Sequence, residues 1–183
     1  IMNIKRYIAT IILAIVLLLN FSCTDWLDVK PVDRMSEDQL YSTEAGFRQA
    51  LNGIYVELNH ADLYGDELLV NTVEILAQRY KFSSMGTLTN QYHLAEFDYT
   101  TDYAKKCGSR IWEKAYALIA NVNKLLKNAD SHKDLFTGDS YDLITGEAYA
   151  LRAFLHFDLL RLFGPVYKTH KEDKSICYNT QFS

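Results

Sequence analysis

The sequence predicts an all-α protein, and three observations carry that expectation. Helix breakers are scarce, with 8 Gly and 2 Pro in 183 residues. Apolar residues recur at spacings of three and four over long segments, which puts them on one face of a helix. No stretch shows the strict alternation of a half-buried strand. With 49% hydrophobic residues, the chain has the apolar material for one medium core.

Taken in order, residues 24–41 (TDWLDVKPVDRMSEDQLY) contain Pro31 and keep no period, so they read as an extended tether. Ser36 with Gln39 three positions later makes a capping box for a short helix near its end. From Thr43 the pattern turns helical, and Phe47, Ala50, Leu51, Ile54, Tyr55 and Leu58 share one face. A second helix is expected from about Asp66, with Leu69, Thr72, Val73, Leu76 and Tyr80 on one side. Residues 82–100 lose the period and are rich in Ser, Thr, Asn and Tyr, so they read as a long loop. Long loops in compact domains often carry function.

A third helix is expected from about Tyr103 to Asn128, with Ile111, Ala115, Leu118, Ile119, Val122, Leu125 and Leu126 on one face. The polar connector ADSHKDLFTGDS leads to the last helix, YDLITGEAYALRAFLHFDLLRLFGP. Its Leu151, Phe154, Leu155, Leu159, Leu162 and Phe163 wrap most of the circumference, so the expectation is burial between neighbours. Gly164 caps its end and Pro165 cannot continue it. The last two helices read as an antiparallel pair. Trp112, Tyr116, Ala150, Phe154 and Pro165 echo a tetratricopeptide unit, but Pro165 follows Trp112 by 53 residues. An ordinary repeat takes about 34, so the pair has an expanded connector.

The N-terminus reads as a leader. Lys5 and Arg6 precede a 12-residue apolar run, Ile8 to Leu19. As a helix that run covers about 18 Å, short of the ~30 Å hydrocarbon core, which favours a cleaved signal over a spanning helix. Ile1 before Met2 and the uncapped YNTQFS at the other end both look cut. In LLLNFSCTDWLD, a cysteine follows the apolar run directly, with Ser22 just before it. This fits a bacterial lipoprotein signal, in which the Cys23 thiol is acylated and becomes the new N-terminus. Asn20 departs from the aliphatic residue usual at its place. The alternative is a structural or disulfide-bonded cysteine in a mature N-terminus. Cys107 and Cys177, 70 positions apart, make no framework and read as two unpaired, buried thiols.

Lys and Arg number 19 against 23 Asp and Glu, a net charge of -4. Without a basic stripe, nucleic acid is excluded as a partner, because phosphate neutralisation needs clustered cations. The mixed run KEDK at 171–174 reads as a solvated loop. The sequence offers no catalytic set. His60, His93, His132, His156 and His170 contain no i,i+4 pair, and HExxH, CxxC, GxSxG and phosphate-loop patterns are missing. No metal ligands and no cofactor are therefore assigned. Arg152, His156, Asp158 and Arg161 cluster on the last helix and read as a polar network tying a crowded helix to its neighbours. Asn121 and Asn123 read as buried hydrogen-bonding residues in a helix interior.

The segments in their order point further. A lipoprotein-type cysteine followed by DWLDVKP, then YSTEAGFRQALNGIYVEL, WEKAYALIANVNKLL and GEAYALRAFLHFDLLRLFGPV, resembles the start of the RagB/SusD family. The block LRAFLHFDLLRLFGPV is the most specific part. These are outer-membrane nutrient-binding lipoproteins of Bacteroidetes. The resemblance implies a tetratricopeptide-like helical scaffold, a lipid anchor at Cys23 and a cell-surface location. It also implies capture of glycans or peptides, with a SusC-like TonB-dependent channel as partner, and a binding role rather than an enzymatic one. Family members are several times longer, so the chain is expected to be the N-terminal part: a signal peptide at 1–22, a lipid-anchored tether at 23–41, and helices at 42–183. Cys177 stands where relatives often have proline.

Sugar capture without covalent chemistry needs aromatic faces against pyranose rings and polar groups for hydroxyls. The 82–100 loop and its edge offer that mixture, which makes Tyr80, Asn90, Tyr92 and His93 the candidates. Ordinary loop packing is their alternative reading. A helical-repeat scaffold with no ligand of its own is the competing function, and an anchored enzyme is disfavoured by the missing catalytic set. The last helix is apolar on nearly all sides, so these 183 residues alone are expected to fold poorly.

Overall fold

The computed structural model describes residues 35–82 and 89–182. Among them the chain forms six α-helices and a 3-10 turn, with no strand. The helices are α1 (Glu37–Leu40), α2 (Glu44–Leu58), α3 (Thr72–Leu76), α4 (Thr89–Ala95), α5 (Asp102–Ser131) and α6 (Ser140–Phe163). All lie in one compact unit, Ser36–Ser183. The all-α expectation holds.

Hydroxyls set the starts of α1, α2 and α5, whereas α6 begins after Asp139 with no side-chain cap. The Ser36 capping box forms on α1, with Gln39 N–H donating to Ser36 Oγ at 3.3 Å and Ser36 N–H to Gln39 Oε1 at 3.1 Å. Thr43 caps α2 by accepting from Gly46 N–H at 3.1 Å, and Thr101 caps α5 by accepting from Ala104 N–H at 3.3 Å. Each such side chain satisfies a donor that the helix itself leaves orphaned. Gly46 has a second reason to be there. A Cβ on it would sit 1.7 Å from the Leu40 carbonyl oxygen, so only glycine lets α1 fold back onto α2.

The frame is α2 packed on the antiparallel pair α5 and α6. Phe47, Leu51 and Ile54 of α2 meet Leu118, Ile119, Val122 and Leu125 of α5 and Ile144, Ala148, Leu155 and Leu159 of α6 in one cluster. Phe47 is fully enclosed, with ring centroids 5.0 Å from Tyr41 and 4.8 Å from Phe136. Polar contacts tie the same helices at their ends. Glu44 accepts from Thr137 N–H at 3.0 Å and from Arg48 at 3.1 Å. Hydrogen bonds from Ser140, Thr137 and Arg48 hold its carboxyl down at about 2.

Three expectations change. The helix expected from Asp66 is a run of turns over 61–70, and the regular part is only Thr72–Leu76. The Asp66 carbonyl accepts from Leu69, Val70 and Asn71 together, which replaces a helical ladder with a tight turn. Leu69 and Val70 consequently face outward, 59% and 50% exposed. The long loop holds a helix, α4, which its polar composition concealed. The α6 helix buries one side only, and Leu143, Phe154, Phe157 and Leu160 stay exposed. Gly164 caps the end of α6 as read, in an extended conformation at φ -77. Glycine is needed there for space, since a Cβ would meet the Leu160 carbonyl oxygen at 2.5 Å.

Candidate functional site

The segment between α2 and α5 is the least regular part of the frame's surroundings, and it is organised by one buried carboxylate. Glu67 is 3% exposed, ion-pairs with Arg110 and accepts from the Thr72 hydroxyl at 2.5 Å. Arg110 also lies 3.7 Å from Asp62 and donates to Cys107 Sγ at 3.7 Å. A carboxylate taken out of water is tolerable only with such partners, so this cluster fixes the turns to α5. Burial first, and the neighbouring Cys107 next, push the Tyr103 hydroxyl up to about 12, so it stays a neutral donor.

Beyond it, α3, α4 and the start of α5 share a small core of Ile75, Leu94, Ala95 and Ala104, with Leu76, Phe82 and Tyr103 packed against it. The backbone is strained just past each helix. Gln78 and Phe97 have φ of 60 and 58, the left-handed region that bulky side chains avoid. Gln78 is held there by its Nε2, which donates to the Ala95 carbonyl at 2.6 Å. Phe97 is left 51% exposed. Strain of this kind persists only where surrounding structure over-determines it, and it gathers at binding sites.

The sequence-derived candidates fall into this segment in two groups. Tyr92 and His93 are neighbours on α4 with rings 5.8 Å apart, edge to face, and Asn90 is exposed on the same helix. His93 Nδ1 lies 3.6 Å from Asp98 Oδ2. Asp98 accepts from the Thr100 hydroxyl at 2.6 Å and from Thr100 N–H at 3.0 Å. Those bonds, the side-chain one first, hold its carboxyl below the usual range. Tyr80 stands apart: its hydroxyl donates to the Val70 carbonyl at 2.8 Å and its ring meets Phe82 at 5.9 Å. Phe82 and the small core are what connect it to α4.

Sequence reasoning missed Phe97 and Tyr99, whose side chains are 51% and 56% exposed. It also missed a cavity of about 420 Å³ beside Tyr99, lined mainly by apolar groups from α3, α4, α5 and the end of α6. Thr72, Tyr99 and Lys105 supply its polar edge. The FDYT run was a visible signal for exposed aromatics, but without α4 nothing fixed where they point. Exposed rings beside an amide and an imidazole–carboxylate pair can stack on a polyhydroxy ligand and bond its hydroxyls.

The cluster on α6 is the polar network that its spacing suggested. His156 is 4% exposed; its Nδ1–H donates to the Arg152 carbonyl at 2.8 Å, and its Nε2 accepts from Asn179 N–H at 3.2 Å. Those two partners require one neutral tautomer, with both ring nitrogens occupied. Asp158 accepts from the Tyr64 hydroxyl and from Arg161, each at 2.6 Å. Asn123 is buried as expected, whereas Asn121 is exposed. Cys107 is a buried free thiol, but Cys177 is an exposed one, because the chain past α6 lies on the surface. Lys171 to Lys174 are solvated as read. Cys23, the leader and the tether up to residue 34 lie outside the described residues; the end of the expected tether, 35–41, instead holds α1 and buries Tyr41 in the core. No described helix is long and apolar enough to cross a membrane.

Comparison with known proteins places residues 25–181 on a family model, SusD-like, described as starch-binding and associating with the outer membrane. Two curated relatives are the SusD-like proteins P2 and P25 of Formosa agariphila. The chain is 27% identical to P2 over 162 residues, which is 88% of this chain and 30% of that protein. It is 27% identical to P25 over 148 residues, which is 79% of this chain and 28% of that protein. The chain thus spans less than a third of the length of either relative. No solved structure matches.

Proposed function

The chain belongs to the SusD-like family, and from that premise we propose that it captures oligosaccharide at the cell surface and passes it to a TonB-dependent outer-membrane channel of the SusC type. The observation that carries this reading is the family match over 25–181, which includes the whole segment bearing the candidate residues. Within that segment, Tyr92 with its neighbour His93, Asn90, and the exposed Tyr80 and Tyr99 supply what a sugar needs. Rings cover the apolar faces of pyranose units, and the amide and the imidazole, steadied by Asp98, bond hydroxyls. Nothing is cleaved: binding alone is the function, and the ligand leaves unchanged.

In this reading the anchor is Cys23. Each acyl methylene in the bilayer adds ~0.8 kcal/mol, so several chains hold the protein firmly at the membrane face. The helical frame then presents the segment between α2 and α5 outward, on a rigid support. Mass spectrometry of the mature N-terminus tests the anchor: a diacylated or triacylated Cys23 is expected, and an unmodified cysteine contradicts it.

Affinity electrophoresis of the full-length protein in gels containing soluble starch tests capture. Retardation that Tyr92→Ala weakens supports the reading. A folded sample that no polysaccharide retards favours instead a helical scaffold that only holds the channel.

A further inference from the structure

The cavity beside Tyr99 has a volume of about 420 Å³ and reaches the surface, since the exposed Tyr99 and Lys105 line it. Its inner wall includes Leu76, Leu94, Ile111 and Leu162. The polar groups on that inner wall are already engaged. The Thr72 hydroxyl donates to Glu67 at 2.5 Å, and Cys107 Sγ accepts from Arg110 at 3.7 Å. A pyranose unit seated inside would bury most of its hydroxyls without partners, a cost that an apolar group avoids.

One wall position keeps the space open. Gly108 stands in the interior of α5, where glycine weakens a helix relative to alanine. A Cβ there would meet only Phe163, at an ordinary 3.7 Å. The backbone therefore does not demand glycine, and a longer side chain at 108 would intrude on the cavity. The cavity also adjoins the sugar-binding segment. Leu94 comes from α4, the helix that carries Asn90, Tyr92 and His93, and Tyr99 stands at the polar edge. An apolar cavity of about 150 Å³ holds benzene, so this one has room for a ring or a short chain together with its linking atoms.

We propose that this cavity is a subsite for an apolar substituent, aryl or short acyl, carried by the captured glycan. The sugar lies against the exposed rings and polar groups of the segment, and the substituent enters past Tyr99. A substituted glycan is therefore preferred to a bare one of the same sugars. The inference rests on the sugar-binding reading of this segment, and its test separates the two.

The test uses the full-length protein carrying Cys177→Ser, titrated calorimetrically with maltose, 4-nitrophenyl α-maltoside and hexyl α-maltoside, the hexyl chain standing for an acyl one. At least one substituted maltoside is expected to bind about tenfold or more tighter than maltose. The same ligand should slow alkylation of Cys107, which lines the cavity, by N-ethylmaleimide, followed by peptide mass mapping. Gly108→Leu fills the cavity and should remove both effects, whereas Gly108→Ala should melt higher than its parent. Leu76→Trp, at the half-buried edge of the cavity, serves if Gly108→Leu fails to fold. Equal affinity for all three ligands overturns the inference. So does a Cys107 that the ligand leaves unprotected or that the reagent never reaches, or a gain that the filled cavity leaves in place. Starch-gel retardation alongside such a result leaves capture standing and removes only the subsite. Gain and protection without retardation keep the subsite and count against starch as the glycan.

Discussion

The helical frame and the segment between α2 and α5 are built on different principles, although both come from one short chain. The frame buries a continuous cluster from three helices, with Phe47, Leu118, Ile119, Leu125, Ile144, Leu155 and Leu159 fully enclosed. The segment from 59 to 101 joins the frame cluster through Leu63, and beyond it rests on a small core of Ile75, Leu94 and Ala95 with Ala104 of α5, a paired carboxylate and two strained backbone positions. Packing makes the frame rigid and insensitive to surface change. Polar pairing makes the segment specific in shape and easier to open, as binding elements drawn from the low-stability end of a structure tend to be.

The comparison is broken most directly by cavities. Phe47→Ala is expected to cost about 3–5 kcal/mol in chemical denaturation, since the fully enclosed ring leaves a void its neighbours cannot fill. Leu94→Ala is expected to lower the global value by less, at most about 2 kcal/mol, because the segment opens before the frame does. Hydrogen exchange over 72–101 should nonetheless accelerate strongly in that variant. Equal global losses from the two substitutions would mean that the segment and the frame melt as one.

How much of this was legible in the sequence follows the same division. The frame could be read because one apolar face at helical spacing is enough to define α2, α5 and α6, and Ser36 with Gln39 announced the cap of α1. The segment could not. Its turns depend on the Asp66 carbonyl accepting three N–H groups and on Glu67 reaching Arg110, 43 positions away, contacts with no local signature. Helix α4 was hidden because TNQYHLA has too few apolar residues to show a period. Tyr80, Asn90, Tyr92 and His93 were proposed by residue type alone, and the exposed Tyr99 and Phe97 were passed over because exposure depends on that unseen helix. The packing of 177–181 across α5 and α6 had no signal except Asn123, an awkward residue mid-helix.

Smaller effects sharpen the contrast. Removing the cap with Thr43→Ala should cost about 1 kcal/mol, measured by thermal melting. The Glu44 carboxyl is lowered in the folded state from 4.5 to about 2, so its contribution is full above pH 4.5 and fades as pH falls toward 2. Glu44→Gln should therefore flatten the fall in melting temperature across that window and leave the curve above it parallel to the wild type. A wild-type-like acid slope in that variant would contradict the hydrogen bonding assigned to Glu44. On the exposed side of α6, Phe157→Gln should change stability by no more than about 0.5 kcal/mol, since the ring is 57% exposed, while raising soluble yield.

The central claim is that a rigid frame presents a ligand-binding segment between α2 and α5. Hydrogen exchange of the full-length protein with and without saturating soluble starch oligosaccharide tests it in a single experiment. Added protection confined to the peptides spanning 72–108, with α2, the rest of α5 and α6 unchanged, is the predicted result. Saturating ligand that protects only regions outside 72–108 would contradict it.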